Sequence, residues 1–208
     1  MHNGVIPHFT QIRRAMCAEM SDAAFASING STDSEHIAAL YMTHLTLSVP
    51  TSSLPFEKSY PLPAMSAALH KTVATIIRLQ KTFVPEAKRL PNSLNLCTTD
   101  GTSLLAYRFR NHAVSQPPKL YYSTKAGTTL NRKYPGDSEG KVIEGVTDTG
   151  IDPERHGRHV IVASEPSTAQ RGDWELVGRN EWISVDGEGR VGKGGIEVGE
   201  GWDAGGIP

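Results

Sequence analysis

No stretch of this 208-residue chain holds the ~20 consecutive apolar residues that a bilayer-spanning helix needs. Cysteine is nearly missing: Cys17 and Cys97 cannot build a disulfide framework, and inside a cell both are expected to stay reduced. An excess of either charge is also lacking, with 21 Lys and Arg against 22 Asp and Glu. Neither nucleic acid nor an acidic membrane surface is therefore an expected partner. The start, Met1 to Gly4, has no basic region leading into an apolar stretch, so no secretory signal is expected and the chain reads as cytoplasmic. What is present is a 38% share of hydrophobic residues, enough for one domain with a true core.

The first half has helical periodicity. Phe9, Ile12, Met16 and Met20 recur at spacings of three and four after Pro7, which suits a first helical turn. Asn29-Gly30 breaks the chain, and Thr32-x-x-Glu35 has the form of a capping box, which starts a helix with Ile37, Leu40, Tyr41 and Leu45 on its apolar face. Residues Ser48 to Pro63 read as a loop, and Met65 to Phe83 as a longer helix. The period then changes. Ser93 to Thr98 and Ser103 to Phe109 read as strands around an Asp100-Gly101 turn. Leu120 to Ser123, His159 to Ala163, Trp174 to Val177 and Trp182 to Val185 read as further strands. The stretch from Thr124 to Arg158 is polar and Gly-rich, and from Gly187 the chain is expected to be a disordered tail. Helices first and strands afterwards predict an α+β fold.

Two sites have residue types that suit chemistry. In Asn3-Gly4, a side-chain amide stands beside an unshielded backbone N–H. Two such donors can converge on the oxyanion of a tetrahedral intermediate, although Asn-Gly alone reads as a tight turn. Asp33 stands where a helix begins. It can cap the helix or, as a carboxylate at the mouth of a site, hold an amino acid's ammonium group. Other patterns fail in context. Gly187-x-Gly189-x-x-Gly192 matches a dinucleotide fingerprint but has no helix-forming run after it, so no cofactor is expected. His156 and His159 lack a third ligand, so no metal is expected. Cys17 and Cys97 fall within a helix and a strand and read as packed residues.

Six blocks in order carry a family resemblance. They are Met1-His2-Asn3-Gly4; Gly30-Ser31-Thr32-Asp33-Ser34-Glu35; Asn95-Leu96-Cys97-Thr98-Thr99-Asp100-Gly101; Ala106-x-Arg108-x-Arg110-Asn111; Leu120-Tyr121-Tyr122-Ser123; and Val162-Ala163-Ser164-Glu165-Pro166. This series resembles the class II glutamine amidotransferases, in particular the fungal Dug-type subunit of a glutathione-degrading complex. The resemblance implies an N-terminal-nucleophile hydrolase fold, a four-layer αββα sandwich with two antiparallel sheets between helices. It implies a partial amidotransferase domain over residues 1–186, followed by the Gly-rich tail 187–208. A terminal cysteine attacks a γ-carbonyl in that family, with its own α-amine as base. Carried over by position, Asn3 and Gly4 match the oxyanion hole and Asp33 the residue that binds the substrate α-amino group. The implied substrate is glutamine or a γ-glutamyl peptide, and the implied partner a peptidase subunit.

The family's cysteine and its carboxylate-gripping arginine both lie upstream of the Asn-Gly element. Here only Met1 and His2 precede it. The chain is accordingly expected to be N-terminally truncated, to lack the strands of the missing segment and to be inactive as written. Two functions follow: a γ-glutamyl amidohydrolase that needs the upstream region, or a catalytically dead binding or complex-forming subunit that keeps the glutamine-side pocket.

Overall fold

The structure is a computed structural model and describes residues 1–47, 56–127, 159–170 and 172–197. It divides into two compact units, Met1–Pro118 with Gly178–Pro208, and Lys119–Val177.

In the first unit, strand β1 (His2–Val5) is followed by helices α1 (Phe9–Ala18), α2 (Asp22–Ala26), α3 (Asp33–Thr46) and α4 (Leu62–Phe83). Strands β2 (Ser93–Thr99) and β3 (Leu104–Arg110) come next, and later β7 (Glu181–Val185) and β8 (Val191–Gly195). All five strands form one antiparallel sheet in the order β1-β2-β3-β7-β8. The expected hairpin is present: Asp100 Oδ1 accepts from the Thr102 and Ser103 N–H groups, and Gly101 takes a positive φ of 87°.

Alternation along the strands decides where the core lies. Leu94, Leu96, Leu105, Tyr107 and Phe109 share one face of the sheet and are buried. They pack in one cluster with Ile12 and Met16 of α1, Ile37, Leu40 and Tyr41 of α3, and Met65, Leu69, Val73 and Ile76 of α4. Each fully buried Leu or Ile of this kind contributes about 1.5–3 kcal/mol.

A polar junction inside this core joins α4 to β3. His70 Nε2 receives the Glu197 N–H at 3.2 Å, which leaves Nδ1 to carry the imidazole hydrogen. Nδ1 lies 2.7 Å from the Tyr107 hydroxyl, and that hydroxyl donates to the Ser66 carbonyl at 3.3 Å. Burial pushes the Tyr107 phenol up to about 12, so it stays protonated as a donor. A second polar junction links α4 to the segment before β2. Gln80 and Asn92 exchange amide hydrogen bonds at 2.9 and 2.7 Å, and Gln80 also donates to the Pro7 carbonyl.

Two expectations require correction. Residues 2–5 form a strand, so the sheet begins before the first helix. Residues from Gly187 onward are not a disordered tail as far as they are described: after a turn at Asp186–Arg190, Val191–Gly195 is the edge strand β8, paired along its length with β7. The last residues, 198–208, lie outside the described set, as do 48–55 of the expected loop and 128–158 of the polar stretch. The tail's glycine content has a packing reason. A Cβ on Gly194 would lie 2.4 Å from the Trp182 ring, so glycine is what lets that indole lie across β8. The strands of 119–177 belong to the second compact unit.

In that second unit, β4 (Tyr121–Ser123) is the centre of a three-stranded antiparallel sheet, flanked by β5 (Ile161–Ala163) and β6 (Glu175–Leu176). The Tyr122 hydroxyl donates to the Glu175 carboxylate across the β4–β6 pair. His159 Nε2 accepts the Gly127 N–H at 2.9 Å. Among the described residues no helix is long and apolar enough to cross a membrane.

Candidate functional site

Strand β1 is the outermost strand of the five-stranded sheet, and its ladder fixes which backbone groups face outward. Met1 and Cys97 exchange both hydrogen bonds, at 2.7 and 2.9 Å. Bonded and non-bonded positions alternate in an antiparallel pair, so Asn3 and Val5 turn their N–H and C=O groups to β2. His2 and Gly4 turn theirs to the outer edge, where no further strand is paired among the described residues. The Asn3-Gly4 dipeptide is thus an extended edge, not a tight turn. Gly4 is there for close approach: a Cβ would fall 1.8 Å from the Ser93 carbonyl oxygen, and φ is +156°.

Helix α3 brings the second element. Thr32 is its N-cap, and the capping box with Glu35 is complete in both directions. Asp33 is the first helical residue and leaves the cap to Thr32. Its Oδ2 accepts the Ile6 N–H at 3.0 Å, 27 residues away in sequence. His2 reaches the same place from β1, with Nδ1 2.9 Å from Ser34 Oγ and 3.9 Å from Asp33 Oδ1. The His2 side chain is only 4% exposed, whereas that of Asp33 is 20% exposed, so the carboxylate is the more accessible of the two. Burial lowers the His2 pKa below its ordinary 6.5, against the opposing attraction of the Asp33 carboxylate and a contact with the Ser93 backbone.

Beside this junction is a cleft of about 290 Å³, whose walls include His2, Ser34, Ile37, Tyr41, Leu69 and Cys97. Burial raises the Cys97 thiol pKa, so this sulfur is not an activated thiolate. Cys17 lies in α1, half-buried.

The structure therefore brings Gly4, His2, Ser34 and Asp33 together on one side of β1. Asn3 alternates to the other side, in a row with its ladder partner Asn95 and, beyond it, Arg108. Arg108 is buried and donates to the Pro117 and Pro118 carbonyls, and Asn95 also donates to Pro118. Sequence reasoning passed over His2 and Ser34. They are 32 residues apart, and no periodicity links a strand to the first turn of a distant helix.

With this geometry in view, the comparisons bear on the fold. The mixed α/β architecture with antiparallel sheets is similar to that of a class II glutamine amidotransferase-type domain. A glutamine aminotransferase class-II domain protein from Silicibacter pomeroyi superposes with a TM-score of 0.62 at 20% identity, over 96% of this chain and 67% of that one. In sequence, the chain is 27% identical over 191 residues to the probable glutamine amidotransferase DUG3 of Saccharomyces cerevisiae. That match covers 89% of this chain, which spans about half (48%) of the yeast protein's length. The chain matches no protein-family model.

Proposed function

We propose that this chain carries the oxyanion and ammonium side of a type 2 glutamine amidotransferase-like hydrolase that acts on a γ-glutamyl amide or peptide bond, in glutamine or glutathione. The observation that supports this most is the Ile6 N–H bond to Asp33. It sets a partly exposed carboxylate directly against the strand whose Gly4 N–H faces the open edge. In this reading the Gly4 N–H at the open edge receives the oxyanion as a thiolate adds to the γ-carbonyl, and the Asn3 amide has to reach it around that edge from the opposite side of β1. Asp33 holds the substrate's α-ammonium. Collapse of the intermediate expels ammonia or an amine and leaves a γ-glutamyl thioester, which water cleaves to glutamate. The family resemblance extends the proposal to a complex with a peptidase subunit in glutathione degradation.

The nucleophile is not assigned to this chain's cysteines, since Cys97 has a raised pKa and Cys17 lies in a helix away from the cleft walls. That observation favours a second reading, a binding or complex-forming subunit that retains the glutamine-side pocket. Incubating the purified chain with L-glutamine and with glutathione, while following both binding and glutamate release, separates the two. Binding without release is expected of the chain alone. Turnover that disappears in Cys17→Ala or Cys97→Ala would place the nucleophile here after all. In an active assembly containing this chain, Asn3→Ala lowers kcat by about 10²–10³-fold with KM nearly unchanged. Activity that falls only in proportion to folded protein would reduce Asn3 to a structural strand residue.

A further inference from the structure

We propose that His2 is a positioning residue: it orients Ser34 and, through it, the Asp33 carboxylate that receives a substrate ammonium group. The inference rests on the function proposed above and extends it to a residue with no assigned role. Both oxygens of Asp33 are approached by this chain. Oδ2 takes the Ile6 N–H at 3.0 Å, and the Ser34 hydroxyl points to Oδ1 at 3.5 Å. Ser34 Oγ can give its hydrogen to Asp33 only if something else donates to it or leaves it free to turn. With its hydrogen on Nδ1, His2 donates to Ser34 Oγ at 2.9 Å and so leaves the hydroxyl hydrogen for Asp33. The order His2 to Ser34 to Asp33 thus fixes the plane of the carboxylate while leaving it partly exposed. Because His2 belongs to the same strand as Asn3 and Gly4, the arrangement also ties the ammonium receptor to the oxyanion strand.

Both the Nδ1–H imidazole and the imidazolium can donate to Ser34, but they differ in what they do to the charge of Asp33. At 3.9 Å from Oδ1, a protonated His2 competes with the substrate ammonium for one carboxylate. The charged groups acting on His2 are the Asp33 carboxylate of α3 and the Met1 amino group just before its strand; Glu35 and Tyr41 of α3, Cys97 of β2 and the apolar Leu69 of α4 line the same cleft. Burial holds the His2 pKa below the ordinary histidine value, so affinity for an α-amino ligand is expected to weaken only as the pH falls through that lowered pKa.

The test is an NMR titration of the His2 imidazole in the whole chain and in Asp33→Asn, combined with calorimetric binding of L-glutamine and of glutaramate, which lacks the α-amine. In Asp33→Asn the His2 pKa falls further, because the attraction of the carboxylate is gone. Saturating the parent with L-glutamine moves it in the same direction. His2→Ala weakens L-glutamine binding on the order of tenfold but leaves glutaramate binding unchanged, and His2→Asn, which can still donate to Ser34, recovers part of the loss. A His2 titration that Asp33→Asn leaves unmoved overturns the inference, whether or not L-glutamine binds. Equal losses for L-glutamine and glutaramate in a folded His2→Ala overturn it as well. Should the titration move while L-glutamine fails to bind, the positioning stands and the functional reading fails.

Discussion

Two histidine junctions in the first unit join a strand to a helix, and they differ in what they leave open. At His70, both ring nitrogens are used, one by the Glu197 N–H and the other by the Tyr107 hydroxyl, which in turn reaches the Ser66 carbonyl. Every polar atom of this network is paired, from the surface bond at Glu197 to the buried phenol, which is held protonated. At His2, the ring meets a hydroxyl and then a carboxylate with 20% of its surface exposed, beside an edge strand and a cleft. A fully paired network specifies how α4 seats on β3. An incompletely enclosed one with a net charge is where a ligand of opposite charge gains most.

The largest way to break this contrast is at Gly4. Gly4→Ala drives a methyl group into the Ser93 carbonyl, so β1 must leave β2 and carry His2 away from Ser34. A loss of about 3 kcal/mol or more is expected in chemical denaturation, with ligand binding abolished. Tyr107→Phe comes next. It strips the His70 Nδ1–H of its acceptor inside the core and costs about 1–3 kcal/mol, but it leaves L-glutamine affinity at the parent value, which calorimetry checks. The smallest effect is at Thr32. Thr32→Ala removes the cap of α3 and lowers stability by about 1 kcal/mol, and by loosening the first turn it weakens L-glutamine binding modestly. If Tyr107→Phe impaired binding as much as Thr32→Ala, the division into scaffold and site would collapse.

Much of the first unit could be read from local pattern. The capping box at Thr32 and Glu35, the 3-and-4 spacing of Ile37, Leu40, Tyr41 and Leu45, and the hairpin about Asp100-Gly101 all appear as expected. Residues 2–5 and 191–195 were missed for one reason. Both are edge strands whose glycines suppress any strand signal, and both owe their extended form to a neighbour: Ser93 for Gly4, Trp182 for Gly194. At the candidate site, the chemical types of Asn3, Gly4 and Asp33 were legible, but their relative placement was not. Register turned Asn3 to the far side of β1 and the Gly4 N–H to the open edge.

The sequence by itself determined the helices and the central hairpin, because these depend on periods, caps and turns spanning a few residues. Tertiary structure alone decided that Asp33 gives up capping to grip Ile6, that His2 meets Ser34, and that a Gly-rich segment becomes an edge strand. Each of these joins groups tens of residues apart or depends on a facing surface. A hydrogen bond or a close backbone approach of that kind exists only once packing has brought both partners into place.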